Sequence, residues 1–434
     1  MQDELGVKLE QLIVYANMRK DEDNTNPEYQ ALTDRAIGLW SQLSMVASFI
    51  TPEILALPDE KLTELLDGEP GLQVYRQYID QLRREREHVR SAEIEEILAQ
   101  TLELSQGPSN IYGMLSNADL KFPTIIDEDG DPVELTKGRY IEFLESSNRR
   151  VRKDAFEAFY DTFGKYSNTI GATYAASVKK DIFYAQAHNY KSSLDAAMSP
   201  ENIPQEVYST LVETVNRNLP VLHRYIRLRK KLLGLNDLQM YDLYTPLIPN
   251  AKKKIPYQES VETVLKALQI LGDDYVAEVD KGIKSRWIDV YENVGKTSGA
   301  YSSGSYTSQP YILLNYQDNL DNMFTLAHEL GHSLHSLYTN RTQPFVYANY
   351  SIFVAEVAST TNEALLTHYL LDRTTDKEIR TYLINNELEK FRGTLFRQTM
   401  FAEFELEAHN RAEAGQALTP DVLNDLFFEL NSRY

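Results

Sequence analysis

Apolar residues recur at helical spacing through most of the chain. The spacing is clear in three stretches, ALTDRAIGLWSQLSMVASFI, VYSTLVETVNRNLPVLHRYIRLRKKLL and EIRTYLINNELEKFRGTLFRQTMFAEFELEAHNRAEAG. Apolar positions three and four residues apart share one face of a helix, so each stretch predicts a helix with one buried face. The pattern therefore predicts a mainly α protein.

One break in the helical pattern is the segment FPTIIDEDGDPVELT at residues 122–136. It predicts a β-hairpin, because two strand-prone runs flank a turn. The turn residues are Asp129, Gly130 and Asp131. We expect a lobe boundary near this segment, with residues 1–107 forming a helical N-terminal lobe and residues 108–434 forming a second domain.

A second break lies at residues 295–308, GKTSGAYSSGSYTS, which is too rich in glycine and serine for a helix. The run that follows it, PYILLNY at residues 310–316, is strand-prone. The next segment is again helical in pattern. We therefore expect a glycine-rich loop, a small β element and a helix in that order.

Composition narrows the function classes. The 434 residues are enough for two or more compact lobes, and the formal net charge of −20 would repel nucleic acid and anionic membrane surfaces. The chain has no cysteine, so a transition metal could be bound only by His, Asp and Glu. The N-terminus shows no signal-peptide pattern, and no run of about 18 apolar residues occurs. We expect a soluble, cytoplasmic protein, and its oligomeric state stays open.

The strongest chemical signal is the stretch FTLAHELGHSLHSLYT. His328 and His332 are four residues apart, so on a helix both imidazoles reach one ion. Glu329 lies beside the first histidine, where its carboxylate is suited to take a proton from a water bound to the ion. The pattern H-E-x-x-H therefore predicts a metal site with Glu329 as general base.

A catalytic zinc requires a third protein ligand and an open position for water. No Asp, Glu or Cys occurs between Ser333 and Ala355, and the first acid afterwards is Glu356, in a second helical stretch. We predict Glu356 as the third ligand. Ser359 and Glu363 lie three and seven residues further along the same helical face, where they could support ligands by hydrogen bonds or be ordinary helix residues.

His335 is a rival ligand. It lies seven residues past His328, on the same face but about 10 Å further along the helix axis. One straight helix cannot easily bring all three rings to one ion. We therefore interpret His335 as a packing residue or as a residue that supports a ligand, with direct coordination kept as the alternative.

Three segments together resemble the oligoendopeptidase F family of zinc metallopeptidases, which are relatives of the thimet-type oligopeptidases. The segments are AHELGHSLHS, YSIFVAEVASTTNEALL and GKTSGAYSSGSYTSQPYILLNY. The resemblance implies a multi-helix fold with a substrate channel, one zinc ion per chain and cleavage of internal bonds of short peptides. It also implies that His328, His332 and Glu356 are the ligands and Glu329 the base.

The same resemblance implies that the glycine-rich loop shapes the substrate cleft, and a plain flexible surface loop is the alternative. The candidate substrate-binding residues are Gly299, Tyr301, Gly304, Tyr306 and Tyr311. We further expect that residues 310–316 could pair with the substrate backbone as an added strand.

The resemblance further implies that the chain is shortened at both ends and lacks the C-terminal segment that binds substrate and stabilises the oxyanion in relatives. Four tyrosines could supply a hydroxyl for that purpose: Tyr301, Tyr306, Tyr347 and Tyr350. Two other functions therefore stay open, a peptide-binding relative with weak or no activity and a zinc carboxypeptidase. For the carboxypeptidase, the sequence offers no clear arginine that would bind a terminal carboxylate.

Overall fold

The computed structural model describes residues 2–47, 49–105, 107–248 and 254–434. The first part of the chain is helical: α1 (Gln2–Glu22), α2 (Pro27–Ala47), α3 (Ile50–Ala56), α4 (Asp59–Gly68) and α5 (Arg76–Glu85). The hairpin follows α6 (Ala92–Ser105) and α7 (Gly107–Met114), as β1 (Thr124–Ile126) and β2 (Pro132–Glu134). After it come α8 (Lys137–Leu144), α9 (Arg149–Gly164), α10 (Ser167–Ala187), α11 (Ser193–Met198) and α12 (Gln205–Leu232).

The second part of the chain holds the remaining strands and helices. They are α13 (Tyr257–Ala267), α14 (Asp273–Lys284), β3 (Ile288–Asp289), β4 (Tyr301–Ser303), β5 (Tyr311–Leu313), α15 (Leu320–Thr342), α16 (Ile352–Arg373), α17 (Lys377–Lys390), α18 (Arg397–Glu413) and α19 (Pro420–Arg433). The prediction of a mainly α protein is confirmed. Among the described residues, no helix is both long and apolar enough to cross a membrane.

The chain divides into two compact units, each built from two segments. One unit contains Met1–Arg84 and Asn250–Leu383, and the other contains Glu85–Pro249 and Ile384–Tyr434. The lobe boundary predicted between residues 107 and 108 stays a prediction.

In the second unit, the hairpin predicted at residues 122–136 is present. Its strands pair antiparallel, and Gly130 adopts a φ of 95° in the turn, a conformation that glycine accepts without strain. The hairpin packs on α8 and α9 through an apolar cluster that includes Leu135 and Leu144. A separate cluster joins α18 and α19 through Met400 and Leu426.

The core of the first unit surrounds α15. Leu326, Leu330 and Leu334 on this helix are fully buried, and Ile312 of β5 packs in the same cluster. Because α15 is covered on several sides, its side chains have little freedom to move. Asn319 caps the helix by accepting a hydrogen bond from the backbone of Asn322.

A three-stranded sheet lies against α15, with strand order β3-β5-β4. β5 pairs parallel with β3 and antiparallel with β4, and Ser302 is paired with Ile312. The strand expected at residues 310–316 is therefore shorter, and it is the central strand of the sheet. The glycine-rich loop, which we expected to be irregular, contributes β4.

Candidate metal centre

Helix α15 carries His328 and His332 on one face, as the spacing predicted. Their Nε2 atoms are 3.1 Å apart, and the two rings are nearly perpendicular, at 81°. Two ring nitrogens at this separation point to a common centre. Neither imidazole is fully exposed, because α16 covers part of each.

Helix α16 brings Glu356 to the same centre. Its Oε2 atom lies 3.3 Å from Nε2 of His328 and 3.5 Å from Nε2 of His332. The three ligand atoms lie within 4.8 Å of one another, and within the described ranges they form the one group of His, Asp and Glu side chains able to share an ion. The residues predicted as ligands are therefore close together in space.

His328 is held on its other side by Glu363. Nδ1 of His328 lies 2.7 Å from Oε1 of Glu363. Burial alone would lower the pKa of His328, but the bond to Glu363 and the charges of Glu363, Glu329 and Glu356 outweigh burial and raise the pKa above its ordinary value. A carboxylate can only accept, so Nδ1 carries the proton and Nε2 presents a lone pair when the ring is neutral.

The pKa of His332 shifts in the opposite direction, below its ordinary value. Burial lowers its pKa, and the neighbouring His328 and His335 add to the effect. The charge of Glu356 and a hydrogen bond to the backbone of Ala355 oppose the shift without reversing it. The neutral form of His332, which is the form that binds metals, is therefore favoured by its surroundings.

Ser359 supports the third carboxylate. Its hydroxyl donates to Oε2 of Glu356 at 2.7 Å, and Ser359 itself is fully buried against α15. The side chain of Glu356 is 64% exposed, and this hydrogen bond, together with the contacts to the two histidines, restricts where the carboxylate points. The two residues predicted to support ligands, Ser359 and Glu363, both contact members of the cluster.

Glu329 lies beside the cluster in a buried position, with only 6% of its surface exposed. Burial, together with the negative charges of Glu356 and Glu363, raises its pKa to about 7, although the charge of His328 and a backbone hydrogen bond from Ser302 oppose the shift. Within the described residues, the Oε2 atom of Glu329 has no hydrogen-bond partner. A buried carboxyl group with a free oxygen and a pKa near neutrality can take up and release a proton.

Strand β4 fixes the position of Glu329 relative to the sheet. The backbone of Ser302 bonds to the Glu329 carboxylate, and the Ser302 hydroxyl lies 2.7 Å from that of Ser333 on α15. The edge strand of the sheet is thereby attached to the helix that carries both histidines.

His335 lies outside the three-residue cluster. Its ring stacks on Tyr350 at 3.7 Å between centroids, and its buried Nδ1 atom has no hydrogen-bond partner among the described residues. Burial lowers the pKa of His335. These contacts agree with the interpretation of His335 as a packing residue, since its partner Tyr350 lies on the segment that leads to α16.

The tyrosines of the glycine-rich loop bond away from the cluster. The Tyr301 hydroxyl donates to Asp21 at 2.9 Å, and the Tyr306 hydroxyl donates to the carbonyl of Gln343 at 2.9 Å. Tyr311, like Tyr301, lines a cavity of about 500 Å³ beside α1. Their roles in substrate binding stay predictions.

The two glycines named in this loop have backbone roles. Gly299 has a φ of 87°, and its carbonyl accepts a hydrogen bond from the side chain of Asn315 at 2.8 Å. At Gly304, a Cβ atom would lie 3.3 Å from the carbonyl oxygen of Gln309. Both positions favour glycine because of the shape of the loop.

The hydroxyls of the other two tyrosines that could stabilise the oxyanion also have hydrogen-bond partners. The Tyr347 hydroxyl donates to the carbonyl of Val74 at 2.7 Å, and the Tyr350 hydroxyl lies 3.1 Å from the hydroxyl of Ser336. The described contacts therefore give none of the four candidate hydroxyls a bond to the cluster.

Comparison with known proteins identifies the family. Residues 142–434 match the model of peptidase family M3, and residues 53–122 match the model named oligopeptidase F. The chain belongs to peptidase family M3. The resemblance to oligoendopeptidase F seen in the sequence is confirmed. M3 peptidases are generally metal-dependent, and the His and Glu cluster is a candidate site for the ion.

Two curated relatives align along almost the whole chain. Oligopeptidase PepF of Bacillus subtilis is 49% identical over 433 residues, which is 100% of this chain and 65% of the relative. Group B oligopeptidase PepB of Streptococcus agalactiae is 44% identical over 99% of this chain and 72% of the relative. The chain thus spans about two thirds of the length of these relatives.

Solved structures of similar proteins share the fold. A putative peptidase from Chlamydophila abortus has a TM-score of 0.86 and 33% identity over 100% of this chain and 72% of that chain. Oligoendopeptidase-F from Enterococcus faecium has a TM-score of 0.75 and 40% identity over 98% of this chain and 71% of that chain.

Three parts of the candidate site were not singled out from the sequence. They are the backbone N–H of Ser302, the glycine inside the motif, Gly331, and the buried amide of Asn362. Gly331 had a visible signal, since a glycine inside a helical pattern often marks close packing. The other two had none, because any serine of the loop or any polar residue of α16 would have fitted the pattern equally well.

Proposed function

We propose that the chain is a zinc-dependent endopeptidase that hydrolyses internal bonds of short oligopeptides. The observation that carries the proposal is the convergence of His328, His332 and Glu356 beside the buried, unpartnered carboxylate oxygen of Glu329. Two imidazoles and one carboxylate are a donor set that catalytic zinc takes in metallopeptidases, and they leave a position open for water.

The protonation states support a cation at this point. Glu363 accepts the Nδ1 proton of His328, which leaves the Nε2 lone pair directed at Nε2 of His332 and at the Glu356 carboxylate. Electron-rich atoms that face one another repel unless a proton or a metal ion lies between them. His328, His332 and Glu356 would hold that ion.

A bound zinc ion supplies a Lewis acid that polarises the scissile carbonyl group and makes water more acidic. Glu329 takes the proton from the attacking water and then delivers it to the departing amine, because its carboxyl group can exist in both forms near neutral pH. The backbone N–H of Ser302 orients Glu329 for both transfers. Glu363 and Ser359 keep the ligand side chains in place.

The sheet also supports peptide binding, at a different strand from the one we expected. β5 has β3 on one edge and β4 on the other, so its backbone is already paired and cannot accept a substrate strand. The contact of Ser302 on β4 with Glu329 supports the outer edge of β4 as the strand that binds substrate. An extended peptide paired with β4 would pass beside the base.

The test measures zinc per purified chain and cleavage of an internally quenched peptide, with product masses recorded. We expect one zinc per chain and internal cleavage. Glu329→Gln should keep the zinc and lose about 10²- to 10⁴-fold in kcat. The matched control is Glu262→Gln, which changes an exposed glutamate in the same unit. Full activity in Glu329→Gln would remove the base from the mechanism, and release of single C-terminal residues would identify a carboxypeptidase instead.

A second candidate function is peptide binding with weak or no turnover. It is favoured by the hydroxyls of Tyr301, Tyr306 and Tyr347, which bond to Asp21, Gln343 and Val74 and are not free to stabilise an oxyanion. One zinc per chain and peptide affinity without products would support this alternative.

A further inference from the structure

Helices α15 and α16 approach each other most closely at Gly331. A Cβ atom at this position would lie 2.6 Å from Cα of Ser359, 2.8 Å from its backbone nitrogen and 2.8 Å from the carbonyl oxygen of Ala358. All three neighbours are backbone atoms, so no side chain can rotate to make room. Any residue other than glycine would push the two helices apart.

The size of that displacement matters for the site. Ordinary contacts of a Cβ atom begin near 3.4 Å, so a contact of 2.6 Å requires α16 to move by about 0.8 Å. Glu356 lies three residues before Ser359 on the same helix, and its carboxylate would move with the backbone. Ligand positions in metal sites tolerate displacements of a few tenths of an ångström.

A buried hydrogen bond between α15 and α16 also fixes how the two helices are aligned along their axes. The amide of Asn362, which is 1% exposed, donates to the carbonyl of Ala327 at 3.0 Å and to the hydroxyl of Tyr275 at 3.1 Å. Ala327 immediately precedes His328, and Glu363 immediately follows Asn362. The bond between the helices therefore lies next to the contact between His328 and Glu363.

We propose that Gly331, together with the Asn362 amide, is a positioning residue that sets the separation and register of α15 and α16 and so places Glu356 and Glu363 against the two histidines. This inference rests on the proposed function. It assigns Gly331 a role in metal affinity that it performs through the backbone of Ser359, without touching substrate or metal.

The test compares three glycine-to-alanine variants in the same unit, each at a helical position. Gly331→Ala places a methyl group against the backbone of α16. Gly38→Ala places it in open space on α2, and Gly282→Ala places it 2.5 Å from the buried ring of Trp287, away from the site. Gly38→Ala controls for the change in helix propensity, and Gly282→Ala controls for general overpacking of the core.

Two readouts are measured on the metal-free proteins: zinc affinity by competition with a chromophoric chelator, and the visible absorption of the cobalt(II) form. We expect Gly331→Ala to lower zinc affinity by about 10- to 100-fold and to change the cobalt spectrum. Gly38→Ala should match the wild type in both. Gly282→Ala should lower the melting temperature while its zinc affinity stays within about twofold of the wild type, since the Trp287 ring lies outside the cluster.

Wild-type zinc affinity and an unchanged cobalt spectrum in Gly331→Ala would overturn the inference. An equal loss of affinity in Gly282→Ala would also overturn it, because general destabilisation would then be the cause. If Gly331→Ala does not fold, Asn362→Ala carries the test, and wild-type zinc affinity in that folded variant would again overturn the inference. A wild-type chain without stoichiometric zinc would instead overturn the proposed function.

Discussion

Nδ1 of His328 lies 2.7 Å from Oε1 of Glu363, a residue 35 positions further along the chain. The bond crosses from α15 to α16 and fixes both the orientation of the imidazole and the nitrogen that carries its proton. A histidine oriented in this way presents one defined lone pair to the centre of the cluster. The same bond accounts in part for the raised pKa of His328.

Loss of the Glu363 carboxylate should weaken metal binding. We expect Glu363→Ala to lower zinc affinity by about 10- to 100-fold, because the His328 ring loses the partner that sets its tautomer. Chelator competition measures the effect. The matched control is Asp372→Asn, which changes an exposed acid on the same helix. Equal zinc affinity in Glu363→Ala and the control would show that the hydrogen bond does not support the site.

Removal of the Ser359 hydroxyl should act on Glu356 alone. Ser359→Ala deletes the bond of 2.7 Å to Oε2 of Glu356, so the exposed carboxylate samples more orientations and zinc affinity falls. We expect a loss of up to about tenfold, at the low end of the range for such partners. Dialysis against a chelator, followed by metal analysis, provides a second measure. Thr361→Ala, on an exposed position of the same helix, should behave like the wild type.

The buried carboxylate of Asp242 should contribute strongly to stability. It is fully buried and accepts hydrogen bonds from Arg149 and Arg152, and Arg152 is 3% exposed. Asp242→Asn leaves a buried guanidinium without its counter-charge, which we expect to lower the free energy of unfolding by about 3–5 kcal/mol. Urea denaturation measures the change.

The control for Asp242 is the ion pair between Arg150 and Asp154, which is exposed on α9. Asp154→Asn should cost less than about 1 kcal/mol, because solvent screens exposed pairs. A cost for Asp242→Asn as small as that of the exposed pair would contradict the expectation that burial makes the difference.

A pH-dependent contribution to stability is expected from His409 and Asp181, which lie 3.3 Å apart. The bond to Asp181 raises the pKa of His409. Burial alone would raise the pKa of Asp181, but the bonds to His409 and Lys180 lower it overall. The stabilisation from His409 is complete below about pH 6.5 and is lost as pH rises through the raised pKa, and that from Asp181 is lost as pH falls through its lowered pKa.

His409 and Asp181 therefore both contribute fully to stability only between about pH 4 and pH 6.5. We expect the difference in unfolding free energy between wild type and His409→Gln to be larger at pH 5.5 than at pH 8.5. Both groups are partly exposed, so the difference should stay below about 1 kcal/mol. A difference that grows towards pH 8.5 would contradict the assigned direction.

Much of the cluster could be read from local spacing. His328 and His332 are one helical turn apart, and the helical pattern around them is strong, so their proximity follows from the geometry of a single helix. Glu356 is the first acid after the motif, and its position in the sequence predicts it as the third ligand. The structure brings Glu356 close to His328 and His332, which agrees with that prediction. The roles of these three residues as metal ligands stay proposals.

Other features could not be read in this way. The order of three short strands decides that β5 is central and β4 lies at the edge, and residue patterns along one strand do not encode the order of its neighbours. The roles of the glycine-rich loop tyrosines in substrate binding stay predictions, but the structure shows that the hydroxyls of Tyr301 and Tyr306 bond to Asp21 and Gln343. Their partners are distant in sequence, so no local pattern identifies them.

By itself, the sequence determined the helical character of the chain, the face shared by the two histidines and the acid beside them, because helix periodicity depends on neighbours a few residues away. Only the tertiary structure decided how deeply Glu329 is buried, which raises its pKa, and how closely α16 lies on α15 at Gly331. Those properties depend on packing between segments that are far apart in the sequence. A glycine inside a helical pattern can indicate close packing, but it does not identify the helix that lies against it or the distance between the two.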